Sequence, residues 1–402
     1  MKNIYPSILK SLLCVTQVII LIGCASTQWR VSNRPTQSAI QSILLHNDYH
    51  EIWDLHLLDQ QDFEIPDNLR PCCAFGVDQK IKLGKIKLPF VSVSNIVDPK
   101  NLGIHIYNAN YFSHSKISSN KKQNREKNGL LYTVRGGLID TAHVRDTADL
   151  TVALFYRIYK HLGESKTIYI KEELGTINLI LDHFDVESLT RRQKWELSAD
   201  IAALQAFQMA VLHEIAQHYG YHKIPLYPEF LSAYSPEDLY SNLLGAKLGK
   251  SLILANLIHS SDLYNTSMTE WFNQTLQWLV PVTPQHTKKL LKSKDQVWWD
   301  SSKRMPDKYY LLKRNYNVSA RQHPLMIERD PSLTPVTLRL NEESYGFKIR
   351  DISRLHTEVD QEYHSNFKSV PAHYWKNGIS CFQFQKVVEH SHLQNKHEMK
   401  RD

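Results

Sequence analysis

From Arg191 to Tyr219 the apolar residues Leu197, Ile201, Leu204, Val211, Ile215 and Tyr219 recur at helical spacing, the longest such run in the sequence. Gly220 is a stop signal for it. A loop of about 15 residues follows. Ser235-Pro236-Glu237-Asp238 then opens a second helix that extends to about Ile258. Ser235 is the expected N-cap, Pro236 suits the first helical position, and Asp238 completes a pattern like a capping box. Gly245 and Gly249 leave this helix a smooth face for close packing. Two long helices joined by one loop pack most simply side by side and antiparallel. A chain carrying that pair is committed to a helix-rich centre.

With 402 residues, 42% of them apolar, the chain can bury a large core in one large domain or two. Gln37 to Leu58 has helical spacing (Ile40, Ile43, Leu44, Ile52, Leu55), and Ile81 to Val93 alternates as one or two strands would. Lys116 to Lys127 is polar and basic and reads as a solvated loop. Leu130 to Val134 reads as a short strand running into Arg135-Gly136-Gly137. Asp140 is the expected N-cap of a helix carrying His143, Thr147, Leu150, Leu154 and Ile158 on its core stripe. Thr167 to Ile170 and Thr176 to Ile180 read as short strands. Trp271 to Leu291 is partly helical, with a break at Pro281 and Pro284. Alternating stretches at Tyr309 to Val318 and Val336 to Leu340 suggest a smaller β-rich part. The expected class is α+β. Its parts are a mainly helical central domain (37–291), a β-containing C-terminal section (292–388) packed on it, and a disordered tail (389–402) with His390, His392 and His397 among charges.

The first 23 residues stand apart. Lys2 and Lys10 precede an apolar run from Ser11 to Ile22, and Leu21-Ile22-Gly23-Cys24 reads as a bacterial lipoprotein cleavage box. The run is too short for a spanning helix and reads as a signal peptide (1–23). The expected mature chain starts at Cys24, carries lipid there, and is tethered to the membrane through polar residues 24–36. Ala25 and Ser26 follow the cysteine with no aspartate, as in lipoproteins sorted to the outer membrane of Gram-negative bacteria. Removing Lys2 and Lys10 takes two from a net charge of +7, and the remaining excess is spread along the chain, so no nucleic-acid partner is expected. Cys72, Cys73 and Cys381 remain in an oxidising compartment. One of the adjacent pair bridging to Cys381, or buried free thiols, are the two readings.

Candidate chemistry centres on Leu212-His213-Glu214-Ile215-Ala216-Gln217-His218. A zinc-peptidase helix needs its second histidine four residues after the first, but here that position is Gln217. At ~100° per residue, His213 and His218 diverge by about 140° on a regular helix, so they do not share an ion. A weaker arrangement remains. Glu237 lies 24 residues after His213, on the following helix. His143, His213 and Glu237 would make a two-histidine, one-carboxylate site for zinc, with Glu214 as general base. His143, near a helix N-terminus, is expected to be a neutral imidazole. Asp140, Asp146, His218 and Asp238 are further candidates for the same pocket. Each has a structural alternative: acids stabilise a helix's first turn, and Arg145 with Asp149 needs no role beyond i,i+4 support. A second enzymatic reading takes Cys72 or Cys73 as nucleophile, His143 as base and Asp140 or Asp146 as orienter. A non-enzymatic reading takes the polar cluster as structural, or as binding a ligand or partner.

Four segments carry a resemblance: PCCAFG at 71–76, YTVRGGLIDTAHVRDTADLT at 132–151, LHEIAQHYGY at 212–221 and SPEDLYSNLLGAKLG at 235–249. They resemble the signature segments of an uncharacterised family of Gram-negative lipoproteins, the domain of unknown function 4056. The resemblance spans most of the mature chain and implies an envelope lipoprotein, without implying an activity. Where the family pattern has a cysteine before the Arg-Gly-Gly segment this chain has Val134, which argues against a thiol role there. The expectation is therefore an outer-membrane lipoprotein, its pocket gathering His143, His213, Glu214 and Glu237, with metal-assisted hydrolysis of peptide or glycan as the chemistry such a pocket would perform.

Overall fold

Asp140 caps its helix as the sequence implies, its carboxylate accepting the Ala142 N–H at 2.7 Å. The computed structural model describes residues 34–46, 63–67, 70, 74–109, 126–222 and 228–400. The leader, Cys24, Cys72 and Cys73 lie outside the described residues. So do most of the tether, much of the 37–58 helix and most of the basic loop.

In chain order, helix α1 spans Gln37–Leu45, and strands β1 (Gln79–Leu83) and β2 (Ile86–Val93) form a hairpin. Strands β3 (Leu130–Thr133) and β4 (Gly137–Asp140) form a second hairpin, which runs straight into α2 (Thr141–Lys160). Strands β5 (Lys166–Glu172) and β6 (Thr176–Leu181) precede α3 (Arg191–His218), α4 (Asp238–Leu254), α5 (Ser261–Leu279) and α6 (Pro284–Lys292). The two-residue strands β7 (Arg321–Gln322), β8 (Leu338–Arg339), β9 (Glu343–Ser344) and β10 (Phe347–Lys348) pair locally. Helix α7 (Ile349–Ile352), β11 (Ser353–Thr357), β12 (Ile379–Ser380) and α8 (Phe384–Glu398) close the chain. The class is α+β, as expected. Among the described residues no helix is long and apolar enough to cross a membrane.

Helix α4 is the centre. Every residue from Asp238 to Leu254 is buried, as a helix packed on all sides must be. Its two lysines are satisfied inside: Lys250 Nζ meets Asp200 at 2.5 Å and Lys247 Nζ donates to the Arg339 carbonyl at 2.9 Å. Helix α3 runs antiparallel to it. Near one end Trp195 donates to the Ile253 carbonyl at 3.2 Å, and near the other Glu214 accepts from the Tyr234 N–H just before α4 begins. Helix α2 runs parallel to α4, in register from its first turn. The Asp140 N–H donates to Ser241 Oγ at 2.9 Å and Thr147 Oγ1 donates to Asn242 at 2.7 Å. At Gly245 an added Cβ would lie 2.2 Å from the Val144 carbonyl oxygen. The glycine is what lets the two backbones approach.

Three expectations need correction. The second long helix starts at Asp238 with Glu237 at its N-cap, and Ser235 donates its hydroxyl to Glu237 at 3.1 Å without capping the helix. Residues 384–398 form α8, with Val387, Val388, Ser391 and Asn395 buried, where a disordered tail from 389 was expected. Its histidines and lysines sit on the outer face of a helix whose inner face packs on α3. The C-terminal section is also threaded into the centre. Strand β11 pairs antiparallel with β6, Ser353 opposite Leu181 through Thr357 opposite Ile177, completing a sheet ordered β12-β11-β6-β5. In β6, Ile177, Leu179 and Leu181 alternate inward, and Gln205 of α3 donates to Ser353 Oγ at 2.9 Å across that layer.

Candidate metal centre

The parallel register of α2 and α4 brings both helix N-termini to one point. Asp140 and His143 lie at the start of α2, and Glu237 and Asp238 lie at the start of α4. Ser241 locks the junction, receiving the Asp140 N–H and donating to the Glu237 carbonyl at 2.8 Å. Glu214 comes in from α3, fixed through one oxygen by the Tyr234 N–H. Asp140, His143 and Asp238 each offer a ligand atom within 4.8 Å of the others, and His143 Nε2 lies 3.2 Å from Asp238 Oδ1. That contact is close enough for an ion pair, but its geometry is not that of a hydrogen bond. Among the described residues, neither Asp238 oxygen has a hydrogen-bond partner, nor do Glu214 Oε1 and Glu237 Oε2.

Four carboxyls, all fully or almost fully buried, thus surround one imidazole. Burial pushes Glu237 and Asp238 well above the usual carboxylate range, and neighbouring acids push further: Asp238 and Asp140 on Glu237, Glu214 and Asp140 on Asp238. Burial raises Glu214 as well. For His143, burial works downward, but the charges of Asp140, Glu214, Asp146 and Glu237 outweigh it and raise the imidazole. The helix terminus and burial thus act on this imidazole in one direction and the neighbouring acids in the other. Two helix N-termini contribute about half a positive charge each at this point. Arg314 adds positive charge beside Glu214 and Asp238, its guanidinium donating to the Ala233 and Lys308 carbonyls.

Not every sequence candidate meets here. His143, Glu214, Glu237, Asp140 and Asp238 do. The three-ligand group around His143 is completed by Asp140 and Asp238, not by His213 and Glu237. His213 turns to the β5–β6 connection, where its Nδ1 lies 3.2 Å from Glu173 Oε1. Glu173 is buried, which alone would raise it, but Lys171 and His213 hold it down at about 2. His218 lies on another face of α3, against Tyr219 and Tyr234 and within the field of Lys308 and Arg314. His213 and His218, about 140° apart around a regular helix, thus have different surroundings.

Asp146 belongs to a buried network behind the site. Its two oxygens take the Arg70 N–H at 3.0 Å and the Arg70 guanidinium at 2.7 Å. The same guanidinium meets Glu126 at 2.5 Å and Asp149 at 3.0 Å, and Asp149 also binds His105 and Tyr264, each at 2.8 Å. Arg145 and Asp149 are thus not merely surface helix partners. Arg145 reaches Lys127, Asn128 and Leu102, while Asp149 reaches Arg70. Glu173, Arg314 and Arg70 were not visible as site or support residues in the sequence. Each arrives from a segment with no motif, and only the pairing of distant elements exposes it.

A family model described as protein of unknown function (DUF4056) matches residues 60–328. No curated protein and no solved structure matches the chain.

Proposed function

The chain belongs to the DUF4056 family of proteins of unknown function, and we propose that it is a lipid-anchored envelope protein with a divalent-cation-dependent hydrolase site at Asp140, His143 and Asp238. The observation that carries this reading is Asp238. Its side chain is fully buried, it sits 3.2 Å from His143 Nε2, and among the described residues neither of its oxygens has a hydrogen-bond partner. A buried carboxylate left so costs several kcal/mol, and folded proteins rarely keep one without a function for it. One imidazole and two carboxylates form a donor set that zinc and related divalent ions accept. Held there, such an ion supplies Lewis acidity and a water of lowered pKa. Glu214, with Oε1 uncommitted to any hydrogen bond, is the group to take the proton from an attacking water. Its other oxygen is anchored by Tyr234, which keeps the carboxylate from turning away. The substrate class we propose is peptide or glycan. Those polymers surround a chain that the leader and Cys24 would deliver to the outer membrane, facing the periplasm.

One observation favours a second reading, a non-enzymatic lipoprotein whose cluster is structural or holds a ligand. Asp140, Glu237 and Asp238 are at most 1% exposed, and structural metal sites are closed whereas catalytic ones keep a position open to substrate. The cysteine-nucleophile reading has the least support. Its nucleophile candidates, Cys72 and Cys73, lie outside the described residues.

Elemental analysis of protein purified without a histidine tag tests the site. Stoichiometric divalent metal is expected in the wild type, with its loss in Asp238→Asn and His143→Ala. A metal-free wild type that takes up no zinc or manganese on dialysis would sink the proposal. Chelation then separates the two readings. A catalytic ion leaves a folded, inactive protein, whereas a structural one leaves an unfolded chain.

A further inference from the structure

We propose that the β1–β2 hairpin is a membrane-docking element that rests on an anionic lipid surface. The segment Lys80-Ile81-Lys82-Leu83-Gly84-Lys85-Ile86-Lys87-Leu88 alternates lysine and aliphatic residues around a tight turn and contains no acid. Gly84, at φ +57°, takes the first turn position, and Leu83 pairs directly with Ile86 beside it. Those two side chains are 61% and 69% exposed, and an added Cβ at Gly84 would meet nothing within 4 Å. The hairpin tip is therefore an aliphatic pair held out into solvent.

The next pair down is Lys82 opposite Lys87. Like charges directly opposite in a hairpin are destabilising, so this arrangement does not serve the hairpin's own stability. Asp307 answers Lys82 at 3.6 Å, while Lys85 and Lys87 stand exposed. The base, by contrast, is fixed. Met305 donates to the Lys80 carbonyl and accepts from the Lys82 N–H, both at 2.8 Å. Arg304 donates to the carbonyls of Ile81 at 3.4 Å and Leu88 at 3.2 Å, tying the two strands together. A rigid base and a tip of two aliphatic side chains ringed by lysines match a bilayer interface. The aliphatic pair enters the acyl boundary while the lysine stems extend to anionic headgroups. A soluble polyanion would use the lysines but leave Leu83 and Ile86 without a role. The hairpin contributes no residue to the Asp140–His143–Asp238 group, and this inference does not depend on the hydrolase reading.

The test uses the full chain with phosphatidylcholine vesicles, with and without phosphatidylglycerol. Amide hydrogen exchange read by mass spectrometry reports on the hairpin itself, whatever else holds the chain to the vesicle. Residues 79–88 are expected to gain protection on the anionic vesicles alone and to lose it in high salt. In flotation of a Cys24→Ala chain, Lys85→Gln/Lys87→Gln is expected to weaken partitioning roughly twenty-five-fold, since each lysine near an anionic surface contributes about fivefold. Leu83→Ser/Ile86→Ser should weaken it as well, and with both residues exposed these variants keep the wild-type melt. Unchanged exchange at 79–88 on anionic vesicles overturns the inference. So does equal protection by dextran sulfate that survives Leu83→Ser/Ile86→Ser, which would make the hairpin a polyanion site.

Discussion

Asp238 and His218 are both buried in or beside α3 and α4, yet their environments ask opposite things of them. For Asp238, burial and the neighbouring Glu214 and Asp140 disfavour the charge. In metal-free protein Asp238→Asn should therefore raise the unfolding free energy by roughly 1–2 kcal/mol, the gain typical of relieving a functional residue. Urea denaturation in the presence of a chelator measures it, and a loss of stability there would mean that the carboxylate is structurally required. For His218, burial pushes the imidazole down to about 3, with Lys308 and Arg314 adding to the effect. The unfolded chain binds a proton near pH 6.5 and the folded chain does not until near pH 3. Stability is then lost as pH falls through that window, and this residue alone removes about 2 kcal/mol between pH 7 and pH 5. His218→Asn should flatten that dependence in denaturation midpoints measured at the two pH values. An equally steep fall in the variant would assign the slope to other groups. At this scale the sequence was partly legible. Asp140 announced itself as a cap and as a pocket candidate, but its meeting with Asp238 at His143 followed only from the position of α4.

Helix α3 could be read almost to its last residue because its apolar spacing is long and its stop is a glycine. The start of α4 could not. Ser235-Pro236 has the grammar of a helix start, but the first helical residue is Asp238, with Glu237 at the N-cap and no side-chain capping bond. The α2–α4 pairing is the element-level fact on which the site depends. Gly245 makes it possible, since its Cβ would collide with the Val144 backbone. Gly245→Ala should cost roughly 1–3 kcal/mol through forced separation of the helices. It should also lower metal retention, because Asp140 and His143 ride on one helix and Asp238 on the other. Thermal melts paired with metal analysis check both effects, and a variant with wild-type metal content would show that the site tolerates the shift. The α8 segment was misjudged for a physical reason. A helix with only one buried face, among many lysines and histidines, has the composition of a solvated tail.

For the molecule as a whole, the described residues from 34 to 400 form one compact unit, although the family match ends at residue 328. Ending the chain after Glu328 would leave β6 without β11, opening an unpaired edge in the sheet, and would strip α8 from α3. Such a truncation should lack near-ultraviolet circular dichroism and a cooperative melt. A truncated chain that melts cooperatively would show that the matched region is an autonomous domain with the C-terminal elements added to it.

The sequence by itself determined the α+β class, the antiparallel α3–α4 pair, the cap at Asp140 and the short list of side chains from which the site is drawn. Those follow from local rules, because helical spacing, capping chemistry and glycine placement act within a few residues. Only the tertiary structure decided which of those side chains meet. His143 joins Asp140 and Asp238 because α2 and α4 lie parallel and in register, while His213 goes to Glu173 on the β5–β6 connection. Such meetings depend on the direction in which two buried helices pack, and that direction is set by the whole core, not by the residues that use it.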